Sequence, residues 1–252
     1  MIVRVALALA VVVAGADGFL LWARGLATPV GPERAAAGFL TGRAGPADGP
    51  QPGPRPAAGV YRYRTTGSER IDRFGVERAY PAETVRVVTW RGGCRWRETV
   101  PLFTQHVETY DFCAGGADAD DFAYATSLTY FLVPGVQRFA CAPVGRRLLT
   151  GHRPGAARSW RCVDGTSVSA NTTVYVGDET VRTATGPVAT RHLRLLTALS
   201  GRSSGGAVRD LWLDPDGLVV KEEREVNLEV ASVFVGRLTY RERASFLLTG
   251  RP

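Results

Sequence analysis

The strongest constraint on what this chain can fold into is a period of two. Along Phe234–Leu248, the residues Phe234, Leu238, Tyr240, Ala244, Phe246 and Leu248 fall on one side of an extended strand. Val235, Arg237, Thr239, Arg241, Arg243, Ser245 and Leu247 fall on the other. Successive strand side chains point to opposite faces, so this alternation describes a sheet with one apolar and one wetted face. Turn signals punctuate the same region. Asp214-Pro215-Asp216-Gly217 separates Asp210–Leu213 from Leu218–Val220, and an Asp-Gly step between apolar runs is a strong hairpin mark. Arg91-Gly92-Gly93 separates Thr84–Trp90 from Cys94–Val100, and Gly177-Asp178-Glu179 separates Thr172–Val176 from Thr180–Thr183. Val188–Leu199 is β-capable with a Leu-rich end that also suits a helix, and Ala117–Thr126 reads as a short helix or loop. The expected fold class is mainly β: a curved antiparallel meander, half-barrel or barrel, with few short helices. A sandwich is the other arrangement these strands allow.

The start of the chain follows different rules. Val5 to Ala23 has Asp17 as its only charge and lies between Arg4 and Arg24. At helical rise it reaches about 28 Å, close to the thickness of a hydrocarbon core. Phe19–Trp22 continues the apolar run and favours an uncleaved transmembrane helix. Val5–Val13 followed by Ala14-Gly15-Ala16 also fits a cleaved signal peptide, and a carboxylate at position 17 favours that reading. Residues 24–58 hold seven Pro and seven Gly and read as a linker, with Ala35–Leu40 able to form one or two helical turns. The expected organisation is 1–23 signal anchor or signal peptide, 24–58 Pro/Gly-rich linker, and 59–252 extracytoplasmic β domain. The cell membrane is then a partner through the N-terminal helix, and the domain is secreted if the chain is cut after Ala16.

The cysteines agree with export. Cys94, Cys113, Cys141 and Cys162 are even in number and follow an export signal, which reads as disulfides. No C-x-x-C pair is present, as a four-cysteine zinc site would favour. Consecutive pairing, Cys94 with Cys113 and Cys141 with Cys162, closes two local loops, each worth about 3 kcal/mol in the chain-entropy account.

Chemistry is sparse. The net charge is +7, but of 31 basic residues only Lys221 is a lysine, a codon-usage skew rather than a nucleic-acid footprint. No nucleic-acid-binding motif is present, so anionic lipid or envelope polymer suits the surplus better than nucleic acid. Gly165–Ser169 is not a nucleophile elbow, His106, His152 and His192 are scattered, and no cofactor motif occurs. Asp118, Asp120 and Asp121 suit a hard cation but lack the glycine and closing glutamate of a calcium loop, and they read as a solvated loop. Asn171-Thr172-Thr173 is a glycosylation sequon by chance. No catalytic residue, metal or cofactor is expected. One oddity stands out. Along Leu218, Val220, Glu222, Arg224, Val226, Leu228 and Val230 the alternating set is apolar at both ends and charged in the middle, and Glu242 interrupts the face of Tyr240 and Ala244. If the faces are shared, Glu222, Arg224 and Glu242 form an inward polar spot that orients a ligand headgroup. If the sheet outruns its core there, the charges are simply wet.

Several segments together carry a resemblance: Gly59–Gly67, Phe74–Pro81, the four cysteines, Asn171–Val174, Gly177–Glu179, Asp210–Trp212 and Gly217-Leu218. They resemble actinobacterial, membrane-anchored extracytoplasmic proteins of unknown function. Residues 165–248 look more distantly similar to the lipoprotein-carrier superfold of LolA- and LppX-type proteins. That second resemblance implies a curved antiparallel sheet whose apolar concave face holds acyl chains. It supplies no catalytic residue, and this chain has no lipobox. The function expected is non-enzymatic binding of an apolar or amphipathic envelope ligand, lipid or protein. The ligand-facing residues would be Leu218, Val220, Glu222, Arg224, Leu228, Phe234, Leu238, Tyr240, Glu242 and Phe246. The alternative is a structural or accessory protein-interaction module with a filled core and no cavity.

Overall fold

Hydrogen bonding links every strand among the described residues into one closed sheet. The computed structural model describes residues 28–41, 54–72, 75–115, 118–130, 133–165, 167–232 and 236–252. Within them lie one helix, α1 (Pro32–Thr41), and the strands β1 (Gly59–Ile71), β2 (Val76–Ala79), β3 (Glu83–Trp90), β4 (Arg95–Phe103), β5 (His106–Gly115), β6 (Asp118–Tyr130), β7 (Val133–Arg147), β8 (Ala157–Asp164), β9 (Ser167–Thr183), β10 (Gly186–Ser200), β11 (Ser203–Leu213), β12 (Val219–Ser232) and β13 (Gly236–Gly250).

The topology is an antiparallel meander in which each strand pairs with the next, and β13 returns to pair with β1. β2 and β3 are two halves of one strand opposite β1. Between them Thr65 donates its N–H to the Ala82 carbonyl (2.8 Å), and Tyr80 donates to that of Gly67 (3.0 Å). Pro81, which has no N–H to give, marks the break. The result is a barrel of twelve strands among the described residues, the barrel option of the expected fold class. Gly67 (φ +120°) and Gly205 (φ +124°) lie where any Cβ would run into the backbone of the neighbouring strand, at Arg243 and Asn227 respectively. Glycine at such points lets a strand bend sharply and coil the sheet.

The turns at Arg91–Gly93 and Asp214–Gly217 form as expected. In the second, the Asp214 carboxylate accepts the N–H groups of Asp216 and Leu218 (3.1 and 2.9 Å). Two readings are corrected. Gly177–Glu179 is no turn: β9 runs straight through it, and the chain reverses at Ala184-Thr185. The cause is a bulge at Val176. His192 pairs with Gly177 and Leu193 with Tyr175, so the ladder absorbs the extra residue and continues. Ala117–Thr126 is neither helix nor loop from Asp118 onward, because β5 and β7 pair with it on both sides. Both disulfides form as paired above, and Cys141 directly faces Cys162 across β7 and β8.

The apolar run at residues 5–23 lies outside the described residues, and among those described no helix is long and apolar enough to cross a membrane. On the barrel's outer wall β13 turns Arg237, Arg241 and Arg243 outward, each paired with a carboxylate. Part of the linker packs on that wall. Val30 and Ala35 of the α1 segment cover the outward side chains of Val85 and Val87. The Thr28 carbonyl accepts the Thr104 N–H (2.9 Å), and Pro29 forms a bridge with Phe103. At the opposite end, Arg55 stacks on the Trp90 ring at 3.8 Å, and the Trp90 indole N–H donates to the Pro56 carbonyl (3.1 Å).

Candidate functional site

Inward positions follow the strand period, and they sort into layers along the barrel axis. One end is apolar, filled by residues that include Tyr61, Trp96, Phe112, Leu193, Leu213, Leu218, Val220, Phe246 and Leu248. Towards the other end are two smaller apolar clusters, one around Ile71 and Tyr240, the other around Phe139, Trp160 and Cys162. Between them lies a belt of charge. Arg86 bridges Glu98 (3.1 Å) and Glu222 (2.7 Å). Arg209 binds Glu222 at 2.8 Å and donates to the Tyr110 hydroxyl at 2.9 Å. Arg224 reaches Glu108 (2.8 Å), Glu242 (2.5 Å) and Glu222 (3.8 Å). Arg78 pairs with Glu69 (3.3 Å) and Arg147 with Glu98 (3.5 Å). The Tyr80 hydroxyl donates to Glu242 (2.7 Å).

His106 completes the belt. It is 1% exposed, with Nδ1 2.6 Å from Glu69 and Nε2 3.4 Å from Glu108. A carboxylate at each ring nitrogen requires both to donate, so the ring is an imidazolium. Burial works against the charged ring, but hydrogen bonds to Glu108 and Glu69, and their charges, outweigh it and raise its pKa to about 10. Burial would likewise push the Glu222 carboxyl up, yet Arg209, Arg86 and Arg224 hold it at about 2. Every charge in the belt meets an opposite one, which is the condition for burying ions at all. The ring's two nitrogens are both committed, which leaves His106 no lone pair with which to act as a base. On the outer wall His192 also lies between two carboxylates. Its nitrogens lie 2.8 Å from Glu179 and 2.8 Å from Asp210, and it stacks on Trp212.

The structure places the nominated residues as follows. Leu218, Val220 and Phe246 lie in the large apolar layer, and Leu228, Leu238 and Tyr240 in the small one with Ile71. Glu222, Arg224 and Glu242 come together between them, buried at 0%, 4% and 6% exposure rather than wetted. Phe234 lies outside the described residues. The charged belt therefore divides the apolar face into separate layers. Sequence reading missed Glu69, Arg78, Arg86, Glu98, His106, Glu108, Arg147 and Arg209. Part of the signal was present: the inward series Trp96, Glu98, Val100 on β4 repeats the apolar–charged–apolar order read on β12 and around Glu242, and Arg86 stands in the inward phase of β3 between Thr84 and Val88. Asp118 is no solvated loop residue either. It is buried and accepts the Leu149 N–H (3.0 Å), with His152 at 3.1 Å. Asn171 of the sequon is buried too and donates to the Ser169 carbonyl (3.2 Å).

A second feature lies outside the lumen. The outer wall from β8 round to β2 forms an open cleft of about 1230 Å³. Its floor is a cross-strand pair, Leu196 opposite Val208, exposed at 42% and 41%. Beside them Ala170, Ala198 and Gly206 lie in register, so little side chain fills the floor. Arg161 stands at the β8 lip, and Arg241 and Arg243 at the β13 lip. Arg243 pairs with Glu225 and Arg241 with Asp72.

No family model and no curated protein matches the chain. Among solved structures, the hypothetical lipoprotein YmcC from Escherichia coli (K12) aligns over 75% of this chain and 85% of its own, at 9% identity and a TM-score of 0.32. A likeness that loose carries no argument about this chain.

Proposed function

We propose that the protein is a non-catalytic, extracytoplasmic barrel, tethered to its membrane by residues 5–23, that binds an amphipathic envelope component in the outer cleft. One observation carries this reading: the lumen is occupied by its own layered side chains, while outside it two exposed apolar side chains, Leu196 and Val208, face each other across strands on the floor of the cleft. Exposed apolar area rimmed by polar groups marks interaction sites. The cleft exceeds the usual 300–1,000 Å³ of small-ligand pockets, which suits an extended or flexible ligand. Two disulfides support an oxidising location. The carrier-like reading thus moves from the inner face to the outer one.

A photo-reactive residue at Val208, in membranes of the native host, should give a discrete adduct. The same residue at Val176, exposed elsewhere on the wall, should not. Native mass spectrometry supplies the opposing result. A lipid that co-purifies with the protein and survives Val208→Arg would put the ligand in the lumen and overturn the assignment.

A further inference from the structure

We infer that the barrel stands end-on to its membrane, with the β4–β5 turn and its companions facing anionic lipid headgroups. This rests on the tethered reading above. In a meander the turns alternate between two ends. The turns β4–β5 and β10–β11 share one end with Gly165, after β8, and with the facing strand ends Ser232 and Gly236. The turns β3–β4, β9–β10 and β11–β12 share the other, where Pro252 also lies against Gly59.

The tether enters at the first end. The Thr28 carbonyl accepts from Thr104, its own N–H donates to the Gln105 side chain (3.1 Å), and Pro29 bridges Phe103. Arg24–Ala27 alone separate Thr28 from the end of the apolar run at Ala23. Four residues span at most about 14 Å. The headgroup layer itself occupies roughly 5–8 Å on each side of the hydrocarbon core. A tether this short holds the Thr104–Gln105 turn in or just above the headgroups. It cannot bring the far end down, because a strand of β9's length at a usual tilt spans roughly 40 Å.

Charge at this end fits the same partner. Arg70 (2.8 Å) and Arg241 (3.0 Å) share the single carboxylate of Asp72. Arg202, in the exposed β10–β11 turn, has no carboxylate partner among the described residues. Glu229 at this end is paired with Arg237, and Asp164 stands at the end of β8 beside Arg138. Against Asp72, Glu229 and Asp164 the described residues at this end set Arg70, Arg138, Arg202, Arg237 and Arg241, a positive surplus, as attraction to anionic lipid requires.

The full chain, reconstituted in vesicles of phosphatidylcholine and phosphatidylglycerol at about 7:3, tests this. A genetically encoded fluorophore replaces either Ala231, at the proposed membrane end, or Thr185, at the far end, and lipids with a nitroxide headgroup act as quencher. Quenching should be at least threefold stronger at 231 than at 185. It should fall at least twofold with Arg202→Glu or in phosphatidylcholine alone. Equal quenching, or stronger quenching at 185, in protein that floats with the vesicles would overturn the orientation while leaving the tether intact. Quenching at 231 indifferent to both the headgroup charge and Arg202 would overturn the assignment of anionic headgroups. A chain that does not float would overturn the tether and the orientation together.

Discussion

Replacing Glu222 with Gln leaves two buried guanidiniums, Arg86 and Arg209, facing a neutral amide. Breaking a buried ion pair from one side typically costs about 3–5 kcal/mol, because the stranded charge keeps its desolvation penalty. Glu222→Gln should therefore lower stability by about that much in urea unfolding, whereas Glu222→Met combined with Arg209→Met should cost less than the single change. A single change no worse than exposed Glu225→Gln would contradict the belt. His106 adds a pH dependence. Its pKa is about 10 in the fold, against about 6.5 in an unfolded chain. The stability it contributes is fully present below about pH 6.5 and drains away as pH rises towards 10, where the imidazolium loses its proton. The unfolding midpoint should fall across that window, and His106→Asn should flatten the slope.

At the scale of strands, the glycines that coil the sheet carry the sharpest expectation. Gly67→Ala places a methyl against the β13 backbone at a φ of +120°, and backbone strain of this kind costs about 1–3 kcal/mol before the clash is added. Gly75→Ala, also at positive φ but in open space, should cost less. Thermal melts of the two variants side by side decide this, and equal midpoints would mean β1 does not need its close approach to β13. The elements also show which information is local. The Asp214–Gly217 hairpin was readable because its turn chemistry lies within four residues, and the β13 face because alternation needs no partner. Gly177–Glu179 has turn-like residues, but pairing with β10 overrides them, and that ladder is invisible from β9 alone. The belt was half readable. Charges in an inward phase can be seen on a single strand, but their meaning depends on partners such as Arg86 and Glu222, 136 residues apart. The outer cleft had no sequence signal, since it arises from curvature over eight strands.

Considered whole, the molecule separates its duties. The lumen holds the fold in register through paired charges between apolar layers, the outer wall presents the cleft, and residues 28–41 fasten the chain's entry to one end. The closing seam is between the first strand and the last, Tyr63 opposite Leu248. During synthesis at about 5–20 residues per second, one edge of β1 must therefore wait roughly 10–40 s for its mate. A bare strand edge is a template for another chain of the same sequence. Arg62, Arg64 and Arg70, spaced along that edge on the outward side, make two such nascent chains repel one another until β13 arrives to seal it.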